Sequence, residues 1–157
     1  MDSSILIQLL PPELKSKNGI EALSEVLESP LIGIYFSAHW CPPCRGFTPV
    51  LSEFYKKANE EKKQIEIVFA SCDRDLNSFN EYYESMPWVA INFEDEMKDT
   101  IAEAFEINGI PALLVFDNKC NMIDQNGRYI VEKYKDYGYT KENAEKVIKE
   151  WMDKVKK

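Results

Sequence analysis

Only three residues separate the apolar run Leu31-Ile32-Gly33-Ile34-Tyr35-Phe36 from Trp40-Cys41-Pro42-Pro43-Cys44, and this junction constrains the fold more than any other stretch. The run carries no polar alternation, as expected of a central strand covered on both faces. Adjacent prolines are tolerated at the first turn of a helix, where a missing N–H loses no helical bond. A buried strand thus runs directly into a helix N-terminus. Cysteines three positions apart can close a disulfide without moving the rest of the chain. The pair reads as a two-electron switch rather than a staple.

Periodicity extends this into an alternating pattern. Ile5 to Leu10 reads as a short first strand, and Lys17-Asn18-Gly19 as a turn. Glu21 to Glu28 reads as a short amphipathic helix ended by Pro30. The helix after the cysteines should run from about Pro43 to Lys62, kinked at Pro49. A second central strand follows at Ile65 to Ala70. Helices are expected at Asn77 to Met86 and at about Glu96 to Phe105. Ala112 to Phe116 is an apolar strand, and Met122 to Gln125 returns antiparallel beside it. Tyr129 to Tyr139 reads as an edge strand and loop. Thr140 caps a last helix with Ala144, Val147, Ile148, Trp151 and Val155 on one stripe. This order predicts an α/β fold with a mixed sheet between helices.

Composition narrows the function. The 157 residues, 45% of them hydrophobic, suit a single domain over 1–157 with one substantial core. A formal net charge of -8 and no basic stripe argue against nucleic-acid binding. No basic, apolar leader and no membrane-length apolar window is present, so a cytoplasmic, or cytoplasmic and nuclear, setting is expected. Thiols there are kept reduced, so the CxxC pair is catalytic or metal-binding rather than structural. Zinc asks for four ligands. His39, Cys72 and Cys120 offer no second paired spacing, so no metal is expected.

Disulfide exchange needs a thiolate, and a free cysteine with pKa ~8.5 is mostly protonated at neutrality. Pro42 biases Cys41 away from helical geometry, as a cap residue requires. The free N–H groups of the first turn then face its sulfur and favour negative charge there. Cys41 is therefore the expected attacking sulfur, and Cys44, one turn inward, the resolving one. Cys120, after the Asp117-Asn118-Lys119 turn, is expected to be partly exposed and open to oxidation.

The wording Tyr35-Phe36-Ser37-Ala38-His39-Trp40-Cys41-Pro42-Pro43-Cys44-Arg45-Gly46-Phe47-Thr48-Pro49 resembles the tryparedoxin and nucleoredoxin branch of the thioredoxin-like superfamily. So do Ser71-Cys72-Asp73-Arg74, Phe79, Tyr82-Tyr83, Met86-Pro87-Trp88 and Gly109-Ile110-Pro111. The resemblance implies a thioredoxin-like fold, a central mixed sheet flanked by helices on both faces. It implies a cis bond before Pro111, turning the Ile110 backbone toward the cysteines. Trp40, Pro42, Pro43, Ile110 and Pro111 would line a partner groove. Tyr35 stands where thioredoxins carry a buried aspartate. Arg45, next to Cys44, either pairs with Asp73 near the site or is simply solvated, and Cys72 is either an auxiliary thiol or a quiet buried one.

The activity implied is reduction of protein disulfides, with a peroxiredoxin as a suggested partner and no bound cofactor. A low-molecular-weight dithiol, glutathione or a flavoprotein reductase would recharge a monomeric protein. The alternative is a redox-sensitive binding protein of nucleoredoxin type with little turnover.

Overall fold

The computed structural model describes residues 4–155, with side chains from Leu6 onward. In chain order the elements are α1 (Ser4–Leu9), β1 (Glu13–Ser16), β2 (Gly19–Ala22), α2 (Leu23–Val26), β3 (Leu31–Ser37), α3 (Pro42–Ala58) and β4 (Ile65–Ser71). There follow α4 (Leu76–Glu84), β5 (Val89–Ala90), α5 (Met97–Ala104), β6 (Ala112–Asp117), β7 (Met122–Asp124), α6 (Gly127–Lys133) and α7 (Lys141–Met152). The seven strands form one sheet in the order β2-β1-β5-β4-β3-β6-β7.

β3 is the axis of the sheet. It pairs parallel with β4 from Leu31↔Ile65 to Ser37↔Ser71, and antiparallel with β6 from Leu31↔Asp117 to Phe36↔Ala112. Every residue of β3 and of β4 is buried, because helices cover both faces. Alternate residues feed two cores. Leu31 and Tyr35 join Phe54, Phe69, Trp88, Val115 and Trp151 under α3, α4, α6 and α7. Ile32, Ile34 and Phe36 join Leu6, Leu14, Val68, Ile101, Leu114 and Phe116 on the opposite face. Both layers expected from the sequence are therefore present.

α3 continues through Pro49, whose missing N–H leaves the Arg45 carbonyl without its helical partner. Thr140 caps α7 as expected, its Oγ1 accepting the Asn143 N–H at 3.1 Å. Such a cap is worth ~1 kcal/mol. Trp151 meets Phe54 edge-on at 5.7 Å and donates its indole N–H to Asp124 Oδ2 at 2.9 Å.

Three local expectations are corrected. Ile5 to Leu10 falls mainly within helix α1 and is not a strand; Leu6 and Leu10, one turn apart, both enter the second core. The stretch Glu21 to Glu28 is not one helix. Its first residues belong to β2, which folds back on β1 about the Lys17-Asn18-Gly19 turn, with Gly19 at φ +124°. Only Leu23–Val26 is helical. Tyr129 to Tyr139 is not an edge strand either, since α6 covers its beginning.

Gly127 lets α6 touch the sheet. A Cβ there would lie 2.9 Å from Val115 Cγ2 and 3.1 Å from Leu113 Cγ and Cδ2. Those branched side chains are packed in the first core and cannot swing aside. Gly127→Ala should therefore destabilise the fold by about 1–3 kcal/mol through overpacking. Urea denaturation measures this, and an unchanged midpoint would show that α6 can shift away at no cost.

Candidate active site

β3 ends at Ser37, and Ala38, His39 and Trp40 carry the chain to α3. The turn is closed by the Cys41 N–H, which donates to the Ala38 carbonyl at 3.2 Å. Cys41 is the N-cap of α3, with extended backbone at φ -97° and ψ 111°. Its Sγ accepts the Cys44 N–H at 3.3 Å, so a free amide of the first turn points at the sulfur. Pro42 and Pro43 occupy the first helical positions and are exposed. Both cysteines are free thiols, with Cys41 5% exposed and Cys44 fully covered.

The loop before β6 closes the other side. The Ile110–Pro111 bond is cis, and the Ile110 carbonyl lies 3.9 Å from Cys41 Sγ as the acceptor of its S–H. Ile110 is half-buried and packs against the cluster of Ala38, Cys41 and Cys44. Trp40 stands 49% exposed beside it. Its indole N–H donates to the Cys72 carbonyl at 3.0 Å, and the Arg74 guanidinium lies 5.0 Å over its ring. These two contacts hold the ring as a wall beside Cys41.

Cys72 lies just past β4 and packs against the same cysteine cluster. Its own N–H bonds the Ser37 carbonyl at 2.8 Å, extending the β3–β4 pairing. Burial, then the Asp73 and Asp99 charges, push its thiol up to about 11. Asp73 is buried and fully engaged. One carboxylate oxygen accepts the His39 N–H at 2.7 Å, and the other accepts the Ser71 hydroxyl at 2.7 Å. Of the two readings of Arg45, the pair with Asp73 is not formed and the solvated one holds. Arg45 projects from α3 into solvent, while Asp73 braces the loop that carries Trp40. Cys120 also departs from expectation. It is completely buried in the second core, where desolvation raises its thiol, and it is not open to oxidants.

Burial pushes the Cys44 thiol up to about 11, and the Cys41 sulfur adds to the rise; hydrogen bonds from the Ser37 hydroxyl and the Ala38 backbone oppose it. Beneath these sulfurs lies a hydroxyl cluster that was not anticipated beyond Tyr35. Tyr35 Oη lies 2.7 Å from Thr48 Oγ1, which lies 2.5 Å from Tyr82 Oη, which lies 2.7 Å from Ser37 Oγ. The signal was present in the spacing. Tyr35 and Ser37 share one face of β3, and Cys44 and Thr48 share one face of α3. Among the described residues, no three His, Cys, Asp or Glu side chains are grouped to hold a metal ion. Nor is any described helix long and apolar enough to cross a membrane.

A buried central strand delivering a dithiol to a helix N-terminus, opposite a cis-proline loop, defines a class of fold, and comparison with known proteins identifies it. The Thioredoxin-like family model matches residues 30–122, and the chain belongs to that family. Probable nucleoredoxin 1 of Arabidopsis thaliana is 39% identical over 149 residues, which cover 89% of this chain and 26% of that protein. Tryparedoxin from Trypanosoma brucei superposes with a TM-score of 0.76 at 36% identity, covering 82% of this chain and 90% of its own. A tryparedoxin II solved in complex with glutathionylspermidine gives 0.75 at 32% identity, covering 84% and 92%. Within the family the chain falls in the tryparedoxin and nucleoredoxin branch. It spans about a quarter of the length of the curated nucleoredoxins it matches.

The raised thiol of Cys72 has a direct readout. A thiol titrating near 11 is protonated at neutrality, and its thiolate fraction climbs ~tenfold per pH unit below that value. Carbamidomethylation of Cys72 in the reduced protein, followed by peptide mass spectrometry, should therefore keep accelerating from pH 7 to pH 10. A plateau by pH 9 would mean that burial does not perturb this thiol.

Proposed function

We propose that the chain is a thiol–disulfide oxidoreductase that reduces disulfides in partner proteins, with Cys41 attacking and Cys44 resolving. The observation that carries this reading is the asymmetry of the pair. Cys41 keeps 5% exposure at a helix N-cap with an amide aimed at its sulfur, while Cys44, one turn further in, is fully covered. A partner disulfide can meet only the first sulfur.

In the first step the Cys41 thiolate attacks one partner sulfur, a mixed disulfide forms and the other partner sulfur leaves as a thiolate. In the second, Cys44 attacks Cys41 Sγ, the mixed disulfide breaks and the partner departs fully reduced. The protein is left with a Cys41–Cys44 disulfide, having given up two electrons. Trp40, Pro42 and Pro43 form one side of the docking groove and Ile110 with Pro111 the other. The exposed part of the Ile110 backbone suits pairing with an extended partner segment. Cys72, Asp73 and Tyr35 support the site from behind, and Arg45 faces the approaching partner.

A peroxiredoxin is the partner class we propose to test first. The return electrons would come from a small dithiol, glutathione or a flavoprotein reductase. The neighbour solved with glutathionylspermidine favours a low-molecular-weight thiol. A reducing compartment, cytoplasm or nucleus, would keep the pair charged.

Insulin reduction with a dithiol donor tests the assignment. Cys41→Ser should fall to the uncatalysed background, and undiminished turnover would sink the proposal. Cys44→Ser should instead accumulate Cys41-linked mixed disulfides, visible as gel species that collapse on reduction. Binding of one partner in a single redox state, without turnover of any disulfide substrate, would favour the nucleoredoxin-type binding role instead.

A further inference from the structure

The chain holds three arginines, Arg45, Arg74 and Arg128. Arg128 is neutralised by Glu132, whose Oε1 lies 2.8 Å from its Nε. Arg74 is exposed, and none of the ion pairs among the described residues includes it. Its guanidinium lies 5.0 Å over the ring of Trp40, the residue next to Cys41.

Acids flank Arg74 in the sequence, and the fold engages both of them elsewhere. One oxygen of Asp73 accepts the His39 N–H and the other the Ser71 hydroxyl, each at 2.7 Å. Asp75 caps α4, its Oδ1 accepting the Ser78 N–H at 2.8 Å. The Trp40 ring is itself tethered, its N–H donating to the Cys72 carbonyl at 3.0 Å. A guanidinium stacked on a tethered indole is ordered before any partner arrives. The stack takes one face of the plane and leaves its edge of N–H donors free. That edge suits a carboxylate bound through two parallel hydrogen bonds.

We propose that Arg74 is the specificity-determining residue of the groove, and that it selects partner chains carrying an acidic side chain next to the disulfide that Cys41 attacks. The inference rests on the reductase reading, with Cys41 as the attacking sulfur. A partner segment paired with the Ile110 backbone is extended, so the residues flanking its cysteine lie against the groove walls. Trp40 with Arg74 is one of those walls. Arg74 holds the partner and takes no part in the exchange of bonds.

The charge of the whole chain gives this contact its weight. At a formal net charge of -8 the protein repels acidic partners at long range and attracts basic ones. Beside the dithiol the order is reversed. A carboxylate there is held by Arg74, and a lysine there meets an unpaired cation. Discrimination comes from both effects, attraction of one flank and repulsion of the other. Arg45 is also exposed and unpaired among the described residues, but it lies over no aromatic ring there. Ordering it against a carboxylate therefore costs more side-chain entropy.

Three homodimeric peptide disulfides, identical except for Glu, Gln or Lys on both sides of the cysteine, test this. Their reaction with the reduced protein is followed by acid quench and mass spectrometry. Each rate is divided by that of the same peptide with dithiothreitol, which cancels the effect of the flanks on the disulfide itself. The Glu peptide should react about fivefold faster than the Gln peptide, the upper end for an exposed ion pair, and the Lys peptide slowest. Arg74→Gln should erase the advantage of the Glu peptide, and Arg74→Glu should reverse the order. Arg74→Lys should keep only part of the preference, because an ammonium lacks the planar fork. A wild-type order that persists in Arg74→Gln overturns the proposal, even where loss of the stack slows all three peptides alike. So does a preference that vanishes in Arg45→Gln. A preference for oxidised glutathione over neutral hydroxyethyl disulfide, with none among the peptides, would assign the contact to small disulfides and overturn the choice of a partner chain. No reaction of the wild-type protein with any peptide would instead remove the reductase reading beneath it.

Discussion

The pairing of β3 between β4 and β6 is the constraint on which the rest of the structure depends. All seven residues of β3 pair with β4, Leu31 to Phe36 pair with β6 as well, and the strand is covered on both faces. That immobile strand ends at Ser37, and its rigidity is passed to the loop by the Cys72 N–H on the Ser37 carbonyl. Trp40, Cys41 and Cys44 are then located by short-range contacts to β4 and α3. A reactive dithiol needs its sulfurs held close in a water-accessible place, and a packed sheet supplies that reference frame while loops alone do not.

The chemistry follows from how this frame treats two identical side chains. Cys41 sits at the boundary, where a helix amide meets its sulfur. Cys44 sits one turn deeper, where burial favours its neutral form and only the Ser37 hydroxyl and the Ala38 backbone oppose that preference. The difference is positional and not chemical. It leaves Cys41 5% exposed and Cys44 fully covered. Asp73, which faces the loop backbone instead of Arg45, spends its charge on holding that loop still.

Much of the architecture was readable from residue patterns. β3, β4 and β6 declared themselves as apolar runs, α4, α5 and α7 as stripes, and the start of α3 as paired prolines after a cysteine. The failures share a cause. Ile5 to Leu10 is too short for periodicity to separate helix from strand, and packing of Leu6 and Leu10 against α5 and β3 decided for helix. Glu21 begins in a hairpin whose bonds are made by backbone, which leaves no mark on side-chain spacing. The reason for Gly127, a close approach to Val115 and Leu113, involves residues a dozen positions away and left no local pattern. Cys120 seemed exposed because it follows a polar turn, yet its φ of +65° turns it beneath the sheet.

By itself the sequence determined the class of fold, the dithiol and its place at a helix N-terminus. Those features depend on neighbours within a few positions, where proline geometry, apolar periodicity and helix capping operate. Only the tertiary structure decided what surrounds the dithiol. It engaged Asp73 with His39 and Ser71, stacked Arg74 on Trp40, and joined Tyr35, Thr48, Tyr82 and Ser37 into one buried series. Hydrogen-bond partners are chosen by distance in space, and a pattern along the chain carries no record of which elements will meet.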